Sequence, residues 1–377
     1  MTYKIFDLSS INNLVANHET PCYIYDRQLL QDTLNAATAA CDKYFSSSAV
    51  IHYALKANDN VQLLDIILAN GLGIDCVSGG EIEHALNIGF MAQEIVFAGV
   101  GKQDAEIELA INAGIYAFNC ESEQEIEVIN TIAQKLGKIV NIMVRINPDI
   151  DAKTHKHIST GTYDNKFGIT FSALCEFLPQ LEQLPYIDLV GLHYHIGSQI
   201  NTLEVFAELG KIASHHYAQL IKQGINLTDI DLGGGLGVDY VNPQMQPIPD
   251  FTGYFKVLKE NLALPQNTKI HFELGRSLIA QCGIILSTVL FIKNTVGTNF
   301  AIIDAGMNDL MRPALYEANH FILPLHNSST YNKYHIVGPV CESTDVFAKD
   351  LLMPQLQRGD KVALFTCGAY GHVLANQ

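Results

Sequence analysis

The stretch Ile51-His52-Tyr53-Ala54-Leu55-Lys56-Ala57-Asn58 reads as an apolar strand that ends on a lysine. No helix face or run of charge accounts for a cation there. A lysine at the carboxyl end of a buried strand is costly to hold unless it is paired or used covalently. The bland alternative is a stem lying in the core with its ammonium reaching water. The surrounding chain weighs on the first side. Strand-like apolar runs recur at 49–55, 73–78, 94–99, 115–120, 141–147, 189–197, 229–235 and 269–275. Amphipathic segments such as 60–69, 80–88, 104–113 and 122–136 separate them. Eight successive strand–helix units predict an α/β fold closed as a (β/α)8 barrel, in preference to an open doubly wound sheet.

Past residue 276 helical periodicity thins, and runs at 284–293, 300–304, 335–338 and 361–367 predict a second, mostly β domain. The turn Leu264-Pro265-Gln266-Asn267 sets the expected boundary, with a barrel over 21–264 and a β domain over 265–377. Two longer connections interrupt the barrel. Residues 148–168 are polar and contain glycine, which suits a lid, and residues 241–249 carry three prolines, which suits a rigid surface loop.

The 377 residues are 48% hydrophobic and 16% charged, the balance of a folded chain with ample core. A net charge of −16 without a basic cluster argues against a nucleic-acid surface. The first residues lack the basic and apolar regions of an export signal, and no apolar run reaches membrane-spanning length. A cytoplasmic protein with no membrane partner is therefore expected. Eight scattered cysteines without a Cys-x-x-Cys pair suit reduced thiols. Paired histidines (155 and 157, 193 and 195, 215 and 216) lack the spacing of a zinc site, so no metal is expected.

Barrels of this kind gather reactive groups at the carboxyl ends of their strands. Those ends carry Lys56, Asp75 and Ser78, Arg145 and Asn147, His193, His195 and Ser198, Gly233-Gly234-Gly235, then Glu273 and Arg276. Each has a bland reading: His195 as a satisfied core histidine, Asp75 as the cap of the following helix. A barrel built only for stability does not need polar groups at so many ends. Glycines let backbone N–H groups converge on an anion, so Gly233–Gly235 suggest a phosphate site. Joined to a strand-end lysine that can form an imine, they suggest pyridoxal phosphate. Glu273 could then keep a pyridine nitrogen protonated, and His195 could stack on the ring.

These residues lie in segments that resemble the fold-type III pyridoxal-phosphate decarboxylases, and within them those acting on diaminopimelate. The matching segments are Tyr53–Asn58, Asp75–Glu81, Ile158–Gly161 with Lys166–Gly168, His193–Gln199, Asp231–Gly237 and Glu273–Arg276. They continue with Asp304–Asp309, Arg312–Tyr316, Cys341–Asp345 and Gly368–Gly371. The resemblance implies that Lys56 holds the cofactor covalently and that His195 stacks on it. It sets Ser198, Gly233, Gly234, Gly235, Gly275, Arg276 and Tyr370 around the phosphate, with Asp75 and Glu273 also in the cofactor site. Arg276, Arg312, Tyr316, Glu342 and Tyr370 are implied for the substrate, and Cys341 as proton donor. It also implies that residues 1 to about 20 join the β domain, and that a homodimer shares its active sites. A distal ammonium and carboxylate need both signs of charge, which Arg276, Arg312 and Glu342 supply, whereas a diamine needs only acids. The expected reaction is decarboxylation of meso-2,6-diaminopimelate to L-lysine, the last step of lysine synthesis. The alternatives are decarboxylation of carboxynorspermidine or a basic amino acid, or cofactor binding without turnover. Two departures stand out: Leu274 replaces the family's usual proline, and only His372–Gln377 follow Gly371, where relatives usually add one strand.

Overall fold

Strands buried on both faces need helices over them, and the chain supplies this by strict alternation. In the computed structural model, residue 11, residues 18–150 and residues 166–376 are described. After β1 (Cys22–Tyr25) come β2 (Ala49–Ala54), β3 (Gly73–Cys76), β4 (Ile95–Phe97), β5 (Ala117–Cys120), β6 (Val140–Arg145), β7 (Ile187–His193), β8 (Asp229–Asp231) and β9 (Lys269–Leu274). Strands β2 to β9 pair in parallel and close into a barrel, β9 returning to β2 from Ala49↔Ile270 to Tyr53↔Leu274. Every residue of β3, β4 and β5 is buried. Several of the helices between start on side-chain caps: Ser78 accepts from Glu81 N–H, and Ser122 from Glu125 N–H. Among the described residues, three of them end on glycines in the left-handed region, Gly89, Gly114 and Gly137.

The chain divides into two compact units. The barrel unit holds Leu34–Gly237 and Asp250–Gly275. The second unit takes, of the described residues, those up to Thr33 together with Val238–Pro249 and the chain from Arg276 onward. The boundary expected at residue 264 thus falls one strand early, because β9 is needed to close the barrel. Residues 21–33 leave the barrel unit because β1 pairs antiparallel with β10 (Gly283–Thr295), Cys22 opposite Leu286.

The second unit is a seven-stranded sheet built on β10. It adds β11 (Thr298–Ile303), β12 (Ile322–Pro324), β13 (Tyr331–Val337), β14 (Val346–Pro354) and β15 (Lys361–Leu364), in the order β12-β15-β10-β11-β13-β14. Its core includes Val289, Ile303, Leu310, Ile336 and Leu364. The sequence reading missed β1, β12 and β14. The expected proline-rich loop is tied down by Gln281, whose side-chain amide donates to the Gln246 carbonyl at 2.8 Å. All eight cysteines are free. Among the described residues no helix is long and apolar enough to cross a membrane. The lid expected at 148–168 and the motif at 158–161 lie largely or wholly outside the described residues.

Candidate active site

Lys56 follows β2 in a single turn, Leu55–Ala57, with Leu55 and Ala57 buried. Its Nζ donates to Asp75 Oδ2 at 2.6 Å; the lysine side chain is about a third exposed and the aspartate fully buried. The helix after β3 is capped by Ser78, so Asp75 is not its cap and is left to meet Lys56. Burial and the neighbouring Glu273 push the Asp75 carboxyl up to about 7, against the pull of Lys56. Its second oxygen, Oδ1, is buried without a hydrogen-bond partner among the described residues.

Glu273, near the end of β9, is the anion of this cluster. Burial alone would raise its carboxyl, but His193, which also hydrogen-bonds it, and Lys56 outweigh burial and hold it well below the usual range. Asn119 Nδ2 donates to Glu273 Oε1 at 2.8 Å, and His193 Nε2 lies 3.3 Å from Oε2. Asp231, repelled by Glu273 and buried, is pushed well above the carboxylate range while accepting from Gly233 N–H at 2.8 Å. One carboxylate settled as an anion, with neighbours that hold their protons to higher pH, is how a buried acid cluster limits stacked charge. His193, Asp231 and Glu273 each bring a possible ligand atom within 4.8 Å of one another, and a hydrogen bond joins His193 to Glu273 among them.

The glycine run is shaped by close approach. A Cβ on Gly233 would strike the Tyr194 carbonyl, one on Gly234 the Glu273 carbonyl, and one on Gly235 the Gly197 carbonyl 2.6 Å away. Gly233 and Gly235 also sit at φ +62° and +104°. Only glycine lets this loop lie against the ends of two strands. Gly275 is similarly pressed, its Cβ position 3.1 Å from the Ala54 and Ala57 methyls. Ser198 is half-buried in the turn that precedes Ile200, whose backbone bridges to Leu236. His195 is neutral: burial, then the Arg145 charge, bring its ring down to about 3. Its Nδ1 lies 3.5 Å from Gly234 N–H. Arg145, one of the strand-end groups, pairs with Glu121 at 2.7 Å. It stacks 4.6 Å over Phe167 and is thus committed to structure.

The second unit holds a different cluster. Arg276 is buried; its Nη1 donates to Tyr240 Oη at 2.7 Å and its guanidinium lies 4.7 Å from the Tyr370 ring centre. Arg312 is buried too, 4.3 Å over the Tyr240 ring, with Nη1 2.9 Å from His320 Nε2. Tyr316 closes the short helix Arg312–Tyr316. Cys341 and Glu342 are exposed on a loop fixed by Asp345, which accepts from Met307 and Val340 N–H, each at 2.8 Å. Sequence reasoning gave no role to Asn119, Tyr240 or His320. A polar residue inside an all-buried strand was a signal for Asn119, but nothing local marked the other two.

The residues present suit a pyridoxal phosphate: a strand-end lysine, an ionised acid buried in the barrel, a loop that a single Cβ would block, and the unpartnered Asp75 oxygen. Residues 31–280 match the pyridoxal binding domain of the pyridoxal-dependent decarboxylases. The chain is 45% identical over 358 residues to the diaminopimelate decarboxylase of Bacteroides thetaiotaomicron, covering 95% of this chain and 92% of that enzyme. It is similar to the crystal structure of the Helicobacter pylori diaminopimelate decarboxylase complexed with L-lysine. That likeness has a TM-score of 0.91 and 40% identity, over 97% and 91% of the two chains. A lysine/ornithine decarboxylase from Vibrio vulnificus, 23% identical with a TM-score of 0.84 over 98% and 94%, shares the fold.

Proposed function

The chain belongs to the pyridoxal-dependent decarboxylases, and from that premise we propose that it decarboxylates meso-2,6-diaminopimelate to L-lysine, the last step of lysine synthesis. The chemistry rests on one observation above all: Lys56 ion-paired at 2.6 Å to a buried aspartate at the mouth of a barrel strand. Pyridoxal phosphate is the cofactor this site suits, and when bound it supplies the electron sink that makes loss of carbon dioxide possible. Lys56 is the group that would tether it, its free ammonium held at the strand end by Asp75 until then. Glu273 stays anionic and can accept the hydrogen bond of a protonated ring nitrogen. His195, held neutral, offers a flat face and no competing charge. Gly233–Gly235, Ser198, Gly275, Arg276 and Tyr370 are the phosphate-binding set.

Arg276 and Arg312 read as anchors for the distal carboxylate, with Glu342 for the distal ammonium and Tyr316 beside them. Two buried guanidiniums favour an anion and disfavour a diamine, which separates this reading from a lysine or ornithine decarboxylase. Cys341 is the proton donor. Its exposure in a single chain, together with that of Glu342, supports a homodimer in which these two residues serve the partner's barrel. Release of carbon dioxide from diaminopimelate, with ornithine and lysine as comparison substrates, tests the reaction. Borohydride reduction with peptide mapping tests the tether, and a label on any lysine other than Lys56 refutes it.

A further inference from the structure

We infer that His320 and Tyr240 are positioning residues that fix Arg312 for the substrate's distal carboxylate, and so set the preference for a carboxylate-bearing ligand over a plain diamine. The inference rests on the reading of Arg312 given above and goes one layer beneath it.

Hydrogen-bond bookkeeping determines the state of His320. Its Nδ1 lies 2.8 Å from the Phe365 carbonyl oxygen, which can only accept, so Nδ1 carries the proton. Its Nε2 lies 2.9 Å from Arg312 Nη1, which can only donate, so Nε2 presents a lone pair. The ring is therefore the neutral Nδ1–H tautomer. A second proton would set an N–H against the guanidinium and a cation against a cation. Burial, then Arg312 itself, bring the ring down to about 3, in the same direction.

Tyr240 does the complementary work. Its ring face lies beneath the Arg312 guanidinium at 4.3 Å, its hydroxyl accepts from Arg276 at 2.7 Å, and its edge meets the His320 ring at 5.0 Å. One phenol thus spaces two buried like charges and gives each a partner that is not an anion. The Arg312 Nε is buried and has no hydrogen-bond partner among the described residues. Burial and the Arg276 charge both draw its guanidinium below the usual value. A guanidinium held by a neutral acceptor and an aromatic face keeps its full charge for a ligand carboxylate. Had an acidic residue held it instead, that charge would be spent inside the protein.

The test measures binding of L-lysine and of cadaverine to the holoenzyme by calorimetric titration. The two ligands differ by the carboxylate that Arg312 is read to hold. His320→Ala should weaken L-lysine about tenfold and leave cadaverine within about twofold, because one charge-assisted bond no longer orients the guanidinium. His320→Gln, whose amide can donate to Phe365 and accept from Arg312, should restore most of the loss. In turnover, the KM for diaminopimelate should rise while kcat holds within about twofold. Equal weakening of both ligands, or no weakening, overturns the inference. Arg312→Ala run alongside separates the layers. If it leaves L-lysine binding untouched, the reading of Arg312 fails and the inference falls with it; if only the His320 variants are silent, the reading stands alone. Should His320→Ala not fold, Tyr240→Leu strips the face beneath Arg312, keeps His320, and must show the same lysine-selective loss.

Discussion

The barrel unit and the second unit both bury charge, and they solve the problem in opposite ways. In the barrel, Asp75, Asp231 and Glu273 share one low-dielectric pocket. Two of them are pushed toward protonation while Glu273 keeps its charge through His193 and Lys56. In the second unit two arginines cannot shed their protons. The fold instead surrounds them with π-faces, a phenol oxygen and a neutral imidazole. Titratable anions can be managed by moving protons, but guanidiniums only by partners. A pocket of the first kind is suited to proton and electron chemistry, and one of the second kind to recognition. Substitutions in the barrel cluster should therefore act on kcat, and those in the arginine cluster on KM.

The largest effects should come from the proposed reacting groups. Lys56→Ala and Cys341→Ala should each lose activity by roughly 10³-fold or more, the scale of removing a positioned nucleophile or proton donor. If sites are shared between chains, subunit exchange between these two dead variants should restore about a quarter of wild-type activity, since half the dimers are mixed and each has one intact site. No recovery, with exchange demonstrated and both parents inactive, would place each site within one chain.

Glu273→Gln tests the barrel half of the contrast more finely. It keeps shape and the Asn119 and His193 neighbours but removes the one settled anion. It should lower kcat by roughly 10²- to 10³-fold, the scale of losing a preorganised charge partner, while KM changes little. Arg312→Ala should do the reverse, raising KM for diaminopimelate by about 10- to 100-fold with a smaller change in kcat. A kcat effect for Arg312→Ala as large as that for Glu273→Gln would erase the distinction between the two regions.

Much of the barrel half was visible in the sequence, because its strands repeat and each strand end carries a residue type that a plain core does not use. Lys56, Gly233–Gly235 and Glu273 stand out singly. Partnerships did not stand out. Asn119 meets Glu273 154 positions away, and Lys56 chooses Asp75 only because Ser78 has already taken the helix cap. In the second unit β12 has three residues and ends on Pro324, while β14 carries Lys349 and Asp350 in its middle, so neither shows a clean strand pattern. Tyr240 lies in a loop far from the sheet in sequence, and its value comes from Arg276 and Arg312, 36 and 72 positions later. A residue that acts through another leaves no mark in its own neighbourhood.

The smallest predicted effect is thermodynamic, and it isolates the second unit. His320 is buried and neutral, with its folded value brought down to about 3 from an ordinary value near 6.5. Below pH 6.5 the unfolded chain takes up a proton at this position that the folded chain refuses. The stabilisation from a neutral His320 is therefore complete above about pH 6.5, and is lost progressively as pH falls from there toward 3. In the barrel the same trend for His52 and His195 is opposed by Asp75, which gains its proton in the folded state as pH drops through about 7 and so becomes more stabilising. Whole-protein stability mixes these signs, and a paired variant removes the mixture. His320→Gln cannot titrate, so the stability difference between wild type and variant should shift in the variant's favour by about 1.4 kcal/mol between pH 7.5 and 5.5. Denaturant midpoints at the two pH values measure it. A difference that stays constant would mean that His320 binds its second proton equally in both states, and Arg312 would then face a cation.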